Sequence, residues 1–372
     1  MKLLEIIKFS KEYLEKYSFS KSRLESEKVI SFVLGIERIN LYSNFEMELT
    51  TDEKLKIKRI LLKMVKQNKK FDDIEKEKEN TVEVIREKDF KKENLVLLRK
   101  SIGYLKKYKV PNARLDAEYI FSHVLKVKRN ALMLNFNVEI TEEEKNIIRN
   151  YMYRRGKKRE PLQYILKEWE FYGYPMNVDE RVLIPRPDTE ILVDECIKLL
   201  AEEKFPKILD IGTGSGAISI SLGKQISQSE VLGIDISEGA LEVSNSNKDL
   251  NSAKNVQFLK SDIFENINYR SYDLIVSNPP YIPVEEYEEL MPEVKIYEPK
   301  GALTDNGNGY YFYEKITKES WDYLKKGGYL AFEVGYNQGE TVVLMMRNRG
   351  YEIKARVLDY GGVERVIIGK KV

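Results

Sequence analysis

The sequence predicts an α/β protein, with a doubly wound, mostly parallel sheet behind two small all-helical bundles. Three observations predict it. Beyond Pro161, short apolar runs alternate with helix-periodic segments, the pattern of strands joined by crossover helices. Before Glu160 the apolar residues recur at helical spacing instead. The front half also repeats itself without a gap when Ser10 is laid on Ser101.

In that alignment Tyr13, Leu14, Lys16 and Tyr17 meet Tyr104, Leu105, Lys107 and Tyr108. Arg23, Leu24, Glu27 and Arg38 meet Arg114, Leu115, Glu118 and Arg129. Asn44, Phe45, Glu48, Thr50 and Glu53 meet Asn135, Phe136, Glu139, Thr141 and Glu144. Roughly a third of the aligned positions are identical, which marks a duplication. Residues 1–67 form the first bundle and 94–160 the second. Thr50 with Glu53, and Thr141 with Glu144, have the spacing of capping boxes that open the last helix of each copy. Between the copies, 68–93 is charge-dense and reads as a linker or an exposed helix.

A connector at 161–190 follows, with Glu170 to Ile184 alternating like a hairpin that turns near Asp179-Glu180. Pro185-Arg186-Pro187 breaks the pattern, and Asp188 is placed to cap a helix from Thr189 to Lys204. The remainder, 191–372, carries strands at Lys207–Ile211, Glu230–Asp235, Val256–Leu259, Tyr272–Ser277, Tyr329–Val334, Tyr351–Leu358 and Arg365–Gly369. Helices begin near Gly214, Ser237, Asn308 and Gln338. The last two strands have no helix between them, so they pair antiparallel at an edge.

Composition narrows the chemistry. With 42% hydrophobic residues the chain can fill packed cores. Its single cysteine, Cys196, excludes an internal disulfide or a cysteine metal cluster, and it lies on an apolar helix face. Its single histidine, His123, excludes a histidine metal site and sits in an apolar run that suggests a structural role. No uncharged apolar stretch approaches the ~18 residues of a membrane span, and the charged start is no signal peptide. A soluble, cytoplasmic protein is expected. The net charge of +2 hides a basic front and an acidic back. That front suits an acidic partner or nucleic acid, or is a solvated lysine-rich surface. The run Arg154 to Arg159 can be a nucleic-acid patch, and is better read as cations closing a helix C-terminus.

Two motifs carry chemistry. Asp210-Ile211-Gly212-Thr213-Gly214-Ser215-Gly216 follows a strand and opens a helix, where glycines let backbone approach a ligand. Gly212, Gly214 and Ala217 also satisfy a nicotinamide fingerprint, and Asp235, at the end of the next strand, suits ribose hydroxyls of either ligand. Asp210 favours the other reading, because a carboxylate suits the cationic methionine part of S-adenosylmethionine and not a pyrophosphate. Asp262 can accept from an adenine amine, with Ile263 on the ring; a turn aspartate beside core residues is the competing account. The second motif, Asn278-Pro279-Pro280-Tyr281, ends a strand. It can be a turn, or it can hold a planar amide or amine for methylation. Joined to the glycine loop it reads as a methyl-transfer site with S-adenosylmethionine as the cofactor.

From about Ala113 to Val372 the chain resembles the release factor glutamine methyltransferases, the HemK/PrmC family. The resemblance rests on Arg159-Glu160-Pro161-Leu162-Gln163-Tyr164-Ile165, on Trp169-Glu170-Phe171-Tyr172-Gly173 and on Arg181 through Glu190. It also rests on the glycine loop, Asn278 to Ile282, and Tyr297-Glu298-Pro299-Lys300-Gly301-Ala302-Leu303. Asp188 stands where glutamate is commoner in that family. The resemblance implies a class I S-adenosylmethionine-dependent fold with a seven-stranded Rossmann-like sheet and one helical substrate-recognition domain. Arg114-Leu115-Asp116-Ala117-Glu118 fits that domain better than Arg23-Leu24-Glu25-Ser26-Glu27, so the first copy is the extra one. It also implies the substrate, the glutamine of the Gly-Gly-Gln loop in class 1 peptide chain release factors. A monomer without stable nucleic-acid binding is expected. The same four residues also serve nucleic-acid adenine or guanine methyltransferases, which is the alternative function.

An amide nitrogen is a poor nucleophile, so the work expected of the site is positioning. The Asn278 side-chain oxygen and the Pro279 carbonyl are expected to accept the two amide hydrogens, since proline brings an acceptor and no competing donor. Pro280 shapes the turn, and Tyr281 is expected to pack on the amide plane.

Overall fold

The computed structural model describes residues 3–36, 38–41, 47, 49, 51–76, 90–359 and 361–372. They divide into two compact units, Met1–Asp89 and Phe90–Val372. The repeat matches at Asn44, Phe45, Glu48 and Thr50, and the linker stretch 77–89, lie outside the described residues.

In the first unit α1 (Leu3–Lys16), α2 (Ser22–Leu34), α3 (Thr51–Gln67) and α4 (Phe71–Lys76) enclose one core. Leu3, Ile6, Leu14, Val29, Ile30, Ile57, Leu61 and Met64 fill it. Phe71 and Ile74 close it from α4, so the first six residues after Lys70 are packed helix and not linker. Glu25, buried in α2, accepts the Phe71 amide at 2.8 Å and so satisfies an otherwise orphaned donor at the start of α4.

The second unit opens with α5 (Phe90–Lys107), α6 (Ala113–Val124), α7 (Glu142–Gly156) and α8 (Leu162–Leu166). The capping box at Thr141 is formed, with its hydroxyl accepting the Glu144 amide at 3.2 Å and Glu144 accepting the Thr141 amide at 2.8 Å. The duplication is visible in detail. Arg23 and Arg38 flank Glu27 at 2.9 and 3.5 Å, as Arg114 and Arg129 flank Glu118 at 2.8 and 3.3 Å. Helix α4 is the counterpart of α8, whose Leu162 and Ile165 sit in the second core where Phe71 and Ile74 sit in the first. Asn68 and Arg159, equivalent positions, share a left-handed backbone at φ 51° and 59°.

A short hairpin follows, β1 (Glu168–Phe171) and β2 (Tyr174–Asn177). It turns at Tyr172-Gly173, both at positive φ (53° and 75°), and not at Asp179-Glu180 as expected. That pair of left-handed residues is the tight turn whose twist matches the strands, and glycine makes it accessible. His123 bridges α6 to β1 through Glu168 at 2.7 Å, a structural role.

Then come α9 (Thr189–Leu199), β3 (Lys207–Ile211), α10 (Ala217–Gln225), β4 (Glu230–Asp235), α11 (Glu238–Leu250), β5 (Val256–Lys260) and β6 (Tyr272–Ser277). The chain ends with α12 (Val284–Tyr287), α13 (Pro292–Tyr297), α14 (Tyr311–Tyr323), β7 (Leu324–Glu333), α15 (Gly339–Arg349), β8 (Tyr351–Leu358) and β9 (Glu364–Lys371). Helix α9 stops five residues short of Lys204. Asp188 is itself in helical conformation, with no side-chain cap bond.

The seven strands lie in the order β5-β4-β3-β6-β7-β9-β8. The first five are parallel, while β9 runs antiparallel to both β7 and β8. Successive residues face opposite cores. Ile208, Leu274, Val276 and Ile368 meet α9, α10 and α11, Cys196 included. Leu209, Ile211, Ile275 and Phe332 meet Tyr313 and Ile316 of α14 and Val343 and Met346 of α15. Strand order reverses between β3 and β6, which opens a crevice at their carboxyl ends.

Candidate active site

That crevice is a cavity of about 350 Å³. Four parallel strands deliver residues to it: Ile211 ends β3, Asp235 ends β4, Ser261 to Ile263 follow β5, and Asn278 to Pro280 follow β6.

The glycine loop divides its labour. Gly212 and Gly214 line the cavity at φ 73° and 54°, and a methyl group added to either would meet nothing within 4 Å except open space. Gly216, at φ 81°, serves packing: an added Cβ would lie 2.8 Å from the Phe258 ring. Thr213 and Ser215 are buried behind the lining. Asp210 is buried too and does not line the cavity, contrary to its expected place beside the ligand. Its Oδ2 accepts from the Thr213 and Ser219 hydroxyls, both at 2.7 Å, and so shapes the loop from below. Its Oδ1 is buried without a partner. Burial pushes the Asp210 carboxyl up to about 6 against the pull of those two hydroxyls.

Asp235 reaches the cavity directly. Its Oδ2 accepts from the Gly214 amide and its Oδ1 from the Ser237 amide, each at 2.9 Å. Burial raises its pKa while these amides oppose the shift. Asp262 lines the cavity with Lys315 at 3.7 Å. Ile263 is held at φ 51°, where a β-branched residue is strained by about 1–3 kcal/mol. Ser261 fixes it by donating to its carbonyl at 2.9 Å.

Asn278, Pro279 and Pro280 face the same cavity. The Asn278 amide group donates to Thr189 Oγ1 at 3.2 Å. Tyr281 is turned away from the cavity. Its phenol lies 3.4 Å from the buried Glu333 carboxylate, and its ring packs on the α14–α15 core. Its carbonyl accepts from Gln338 at 2.9 Å, and Gly309 passes so close that a Cβ there would lie 2.3 Å from that oxygen. Tyr281 therefore anchors the turn. The aromatic side chains on the cavity wall are Tyr311 and Phe312, which sequence reasoning missed because they start a helix and carry no motif.

Two segments complete the wall. Arg181, Val182 and Leu183 approach from the connector, and Pro299, Gly301 and Ala302 from the stretch after α13. Glu298 ties them together: it accepts from Arg186 at 2.5 Å and from the Ile184 amide at 3.2 Å. Farther along, Glu293 of α13 is gripped by Arg155 at 3.3 Å and Arg159 at 2.5 Å, and Arg155 also holds Asp116 at 2.6 Å. Arg154 pairs with Glu160 at 2.5 Å. The basic run thus clips α7 to the segment beyond the Asn-Pro-Pro turn.

These residues fit S-adenosylmethionine. Gly212 and Gly214 leave room for close approach, Asp235 offers a carboxylate at a strand end, and Asp262 with Ile263 offers an acceptor beside an apolar side chain. Among the described residues, no group of three or more His, Cys, Asp or Glu could hold a metal, and no helix is long and apolar enough to cross a membrane.

Comparison with known proteins agrees with the geometry. Residues 188–315 match the methyltransferase small domain family and 97–166 the PrmC N-terminal domain family. A release factor glutamine methyltransferase of Fusobacterium nucleatum subsp. nucleatum is 54% identical, over 92% of this chain and 94% of its own length. Enzymes of the same name from Geobacter sulfurreducens and Clostridium botulinum are 40% and 37% identical. They cover 72% and 74% of this chain but 93% and 98% of their own, so they are the length of one bundle plus the sheet domain. The Fusobacterium match extends into the first unit.

Proposed function

Because the chain belongs to the release factor glutamine methyltransferase family, we propose that Asn278 and Pro279 hold the glutamine amide of the Gly-Gly-Gln loop of class 1 peptide chain release factors. The protein is an S-adenosylmethionine-dependent methyltransferase. When bound, S-adenosylmethionine supplies a methyl group already activated by its sulfonium. Asp235 would receive its ribose hydroxyls, Asp262 its adenine amine, and Ile263 would pack on the base.

The rest is alignment. The Asn278 Oδ1 and the Pro279 carbonyl accept the two hydrogens of the substrate amide and aim its nitrogen along the cavity. Holding both hydrogens favours a pyramidal nitrogen, whose lone pair is released from the carbonyl as the new N–C bond forms, while the S–CH3 bond breaks and its electron pair stays on a neutral thioether. One proton leaves the nitrogen for water. The observation that carries the reading is that Gly212, Gly214 and Asp235 share one cavity with Asn278 and Pro279. Tyr281 fixes the turn that presents the Pro279 carbonyl.

A protein substrate is favoured over nucleic acid because three arginines of the basic run, Arg154, Arg155 and Arg159, are taken up by ion pairs with Glu160, Asp116 and Glu293. The enzyme acts as a monomer in the cytoplasm, where release factors work. Tritiated S-adenosylmethionine supplied with release factor, its Gln-to-Ala form, or DNA and RNA tests the reading. Label is expected in the first alone; label in nucleic acid would overturn it.

A further inference from the structure

We propose that Thr189 and Glu333 act as positioning residues that set which way round the Asn278 amide points. The proposal rests on the reading of Asn278 given above and deepens it. Glu333 ends β7 and is buried, with its side chain facing α9. Thr189 Oγ1 lies 2.6 Å from Glu333 Oε2 and 3.2 Å from Asn278 Nδ2.

The polarity of this chain of bonds follows from the groups in it. An ionised carboxylate only accepts. A hydroxyl has one proton, so at 2.6 Å Thr189 gives it to Glu333. What remains on Thr189 is a lone pair, which needs a donor. Asn278 can meet it only with its NH2 group, and its carbonyl oxygen is thereby turned the other way. Substrate chemistry demands that orientation, because an amide nitrogen offers hydrogens and needs an acceptor. A flipped Asn278 would set NH2 against NH2. Burial raises the Glu333 carboxyl, and the Thr189 hydroxyl, the Arg365 guanidinium and the Tyr281 phenol, a second donor at 3.4 Å, oppose that shift; the relay operates with the carboxylate ionised. Without the relay the two faces of the Asn278 amide are nearly equivalent in shape, and only the hydrogen-bond pattern distinguishes them.

The relay explains why Thr189, the first residue of α9, is buried although it caps nothing. It also gives the Pro185-Arg186-Pro187-Asp188-Thr189 segment two tasks. Arg186 holds the wall through Glu298, and Thr189 orients the amide.

The test compares Thr189→Val, Thr189→Ser, Glu333→Gln, the Val/Gln double variant and Asn278→Ala. Each is assayed for turnover on release factor, for cofactor affinity and for thermal stability. Thr189→Val is expected to lower kcat about 10- to 100-fold, the scale of losing a partner that orients a group in contact with substrate, with cofactor affinity within about two-fold. Thr189→Ser, which keeps the hydroxyl, is expected to recover most of that loss. Glu333→Gln is expected to lower kcat alone but to add nothing to Thr189→Val, since it acts through that hydroxyl.

Parent-like turnover in Thr189→Val, a serine variant as poor as the valine, additive losses, or cofactor affinity falling in step with kcat would each overturn the relay. If Asn278→Ala is dead and Thr189→Val is normal, only the relay fails. If Asn278→Ala turns over normally, the reading of the site fails and the relay with it.

Discussion

Arg186 donates to Glu298 across 2.5 Å, and this pair joins the two segments that sequence comparison singles out on either side of the cavity. The Glu298 side chain is only 1% exposed, whereas Arg186 is 36% exposed, so the carboxylate is the partner that depends on the pair. It also holds the Ile184 amide.

Glu298→Ala should therefore destabilise the fold by about 1–3 kcal/mol, less than a fully buried pair because water reaches Arg186. It should also loosen Pro299, Gly301 and Ala302, which line the cavity. Denaturant unfolding and KM for release factor should both move. A stable variant with unchanged KM would show that the wall stands without this tie.

The glycine loop predicts a contrast. Gly212→Ala and Gly216→Ala share the strain of positive φ, about 1–2 kcal/mol. Only Gly216→Ala adds a clash, at 2.8 Å from Phe258 and 3.1 Å from Ser244, costing about 1–3 kcal/mol more. Thermal melts should rank Gly216→Ala the less stable. Calorimetric titration with cofactor should show the larger affinity loss, per unit of stability lost, in Gly212→Ala, which points into the cavity.

Asp210 gives a pH dependence with a definite sign. Burial lifts its pKa from 3.8 to about 6. Between those values the folded chain holds a proton that the unfolded chain has released. Stability of the ligand-free protein should accordingly fall as pH rises from about 4 to about 6, by on the order of 3 kcal/mol. Burial also raises Asp235 and Glu333, which adds in the same direction. Urea melts across that window check it, and Asp210→Asn should remove the main part of the slope. Stability that rises through the window would contradict the assignment.

The first unit should be dispensable for chemistry. The two arginines that grip Glu293, Arg155 and Arg159, have Met64 and Asn68 as their counterparts in the first copy. Its Glu25, counterpart of Asp116, caps α4 instead of holding an arginine. Removing Met1–Asp89 should leave a folded chain with kcat and cofactor affinity within about two-fold, because Phe90–Val372 is a compact unit by itself. A KM for release factor that rises several-fold would assign the extra copy to substrate capture.

Much of this was legible before the structure. Tyr272–Ser277 reads as a central strand because five of its six residues are apolar or small, and all six, Asp273 included, are buried. The glycine loop, Asp235 and Asn278 were found because strand ends and turn residues mark ligand crevices locally. What failed depends on packing at a distance. Phe71–Lys76 reads as linker or exposed helix from its charges, yet Phe71 and Ile74 of that helix are core residues, as Leu162 and Ile165 are in the second copy. Asp210 and Tyr281 carry reactive-looking groups in the right motifs, but both side chains turn inward to hold the loops. Thr189 and Glu333 were invisible because they sit far apart in sequence and meet only when α9 packs beside β7.

The central claim is that Asn278 aligns a protein glutamine for methylation. The most direct measurement is mass spectrometry of release factor after incubation with S-adenosylmethionine and either the parent enzyme or Asn278→Ala, alongside cofactor affinity for both. The account predicts one methyl on the glutamine of the Gly-Gly-Gln loop with the parent. With Asn278→Ala it predicts turnover lower by several orders of magnitude and cofactor affinity reduced far less. Methylation elsewhere, or equal losses of turnover and affinity, would contradict it.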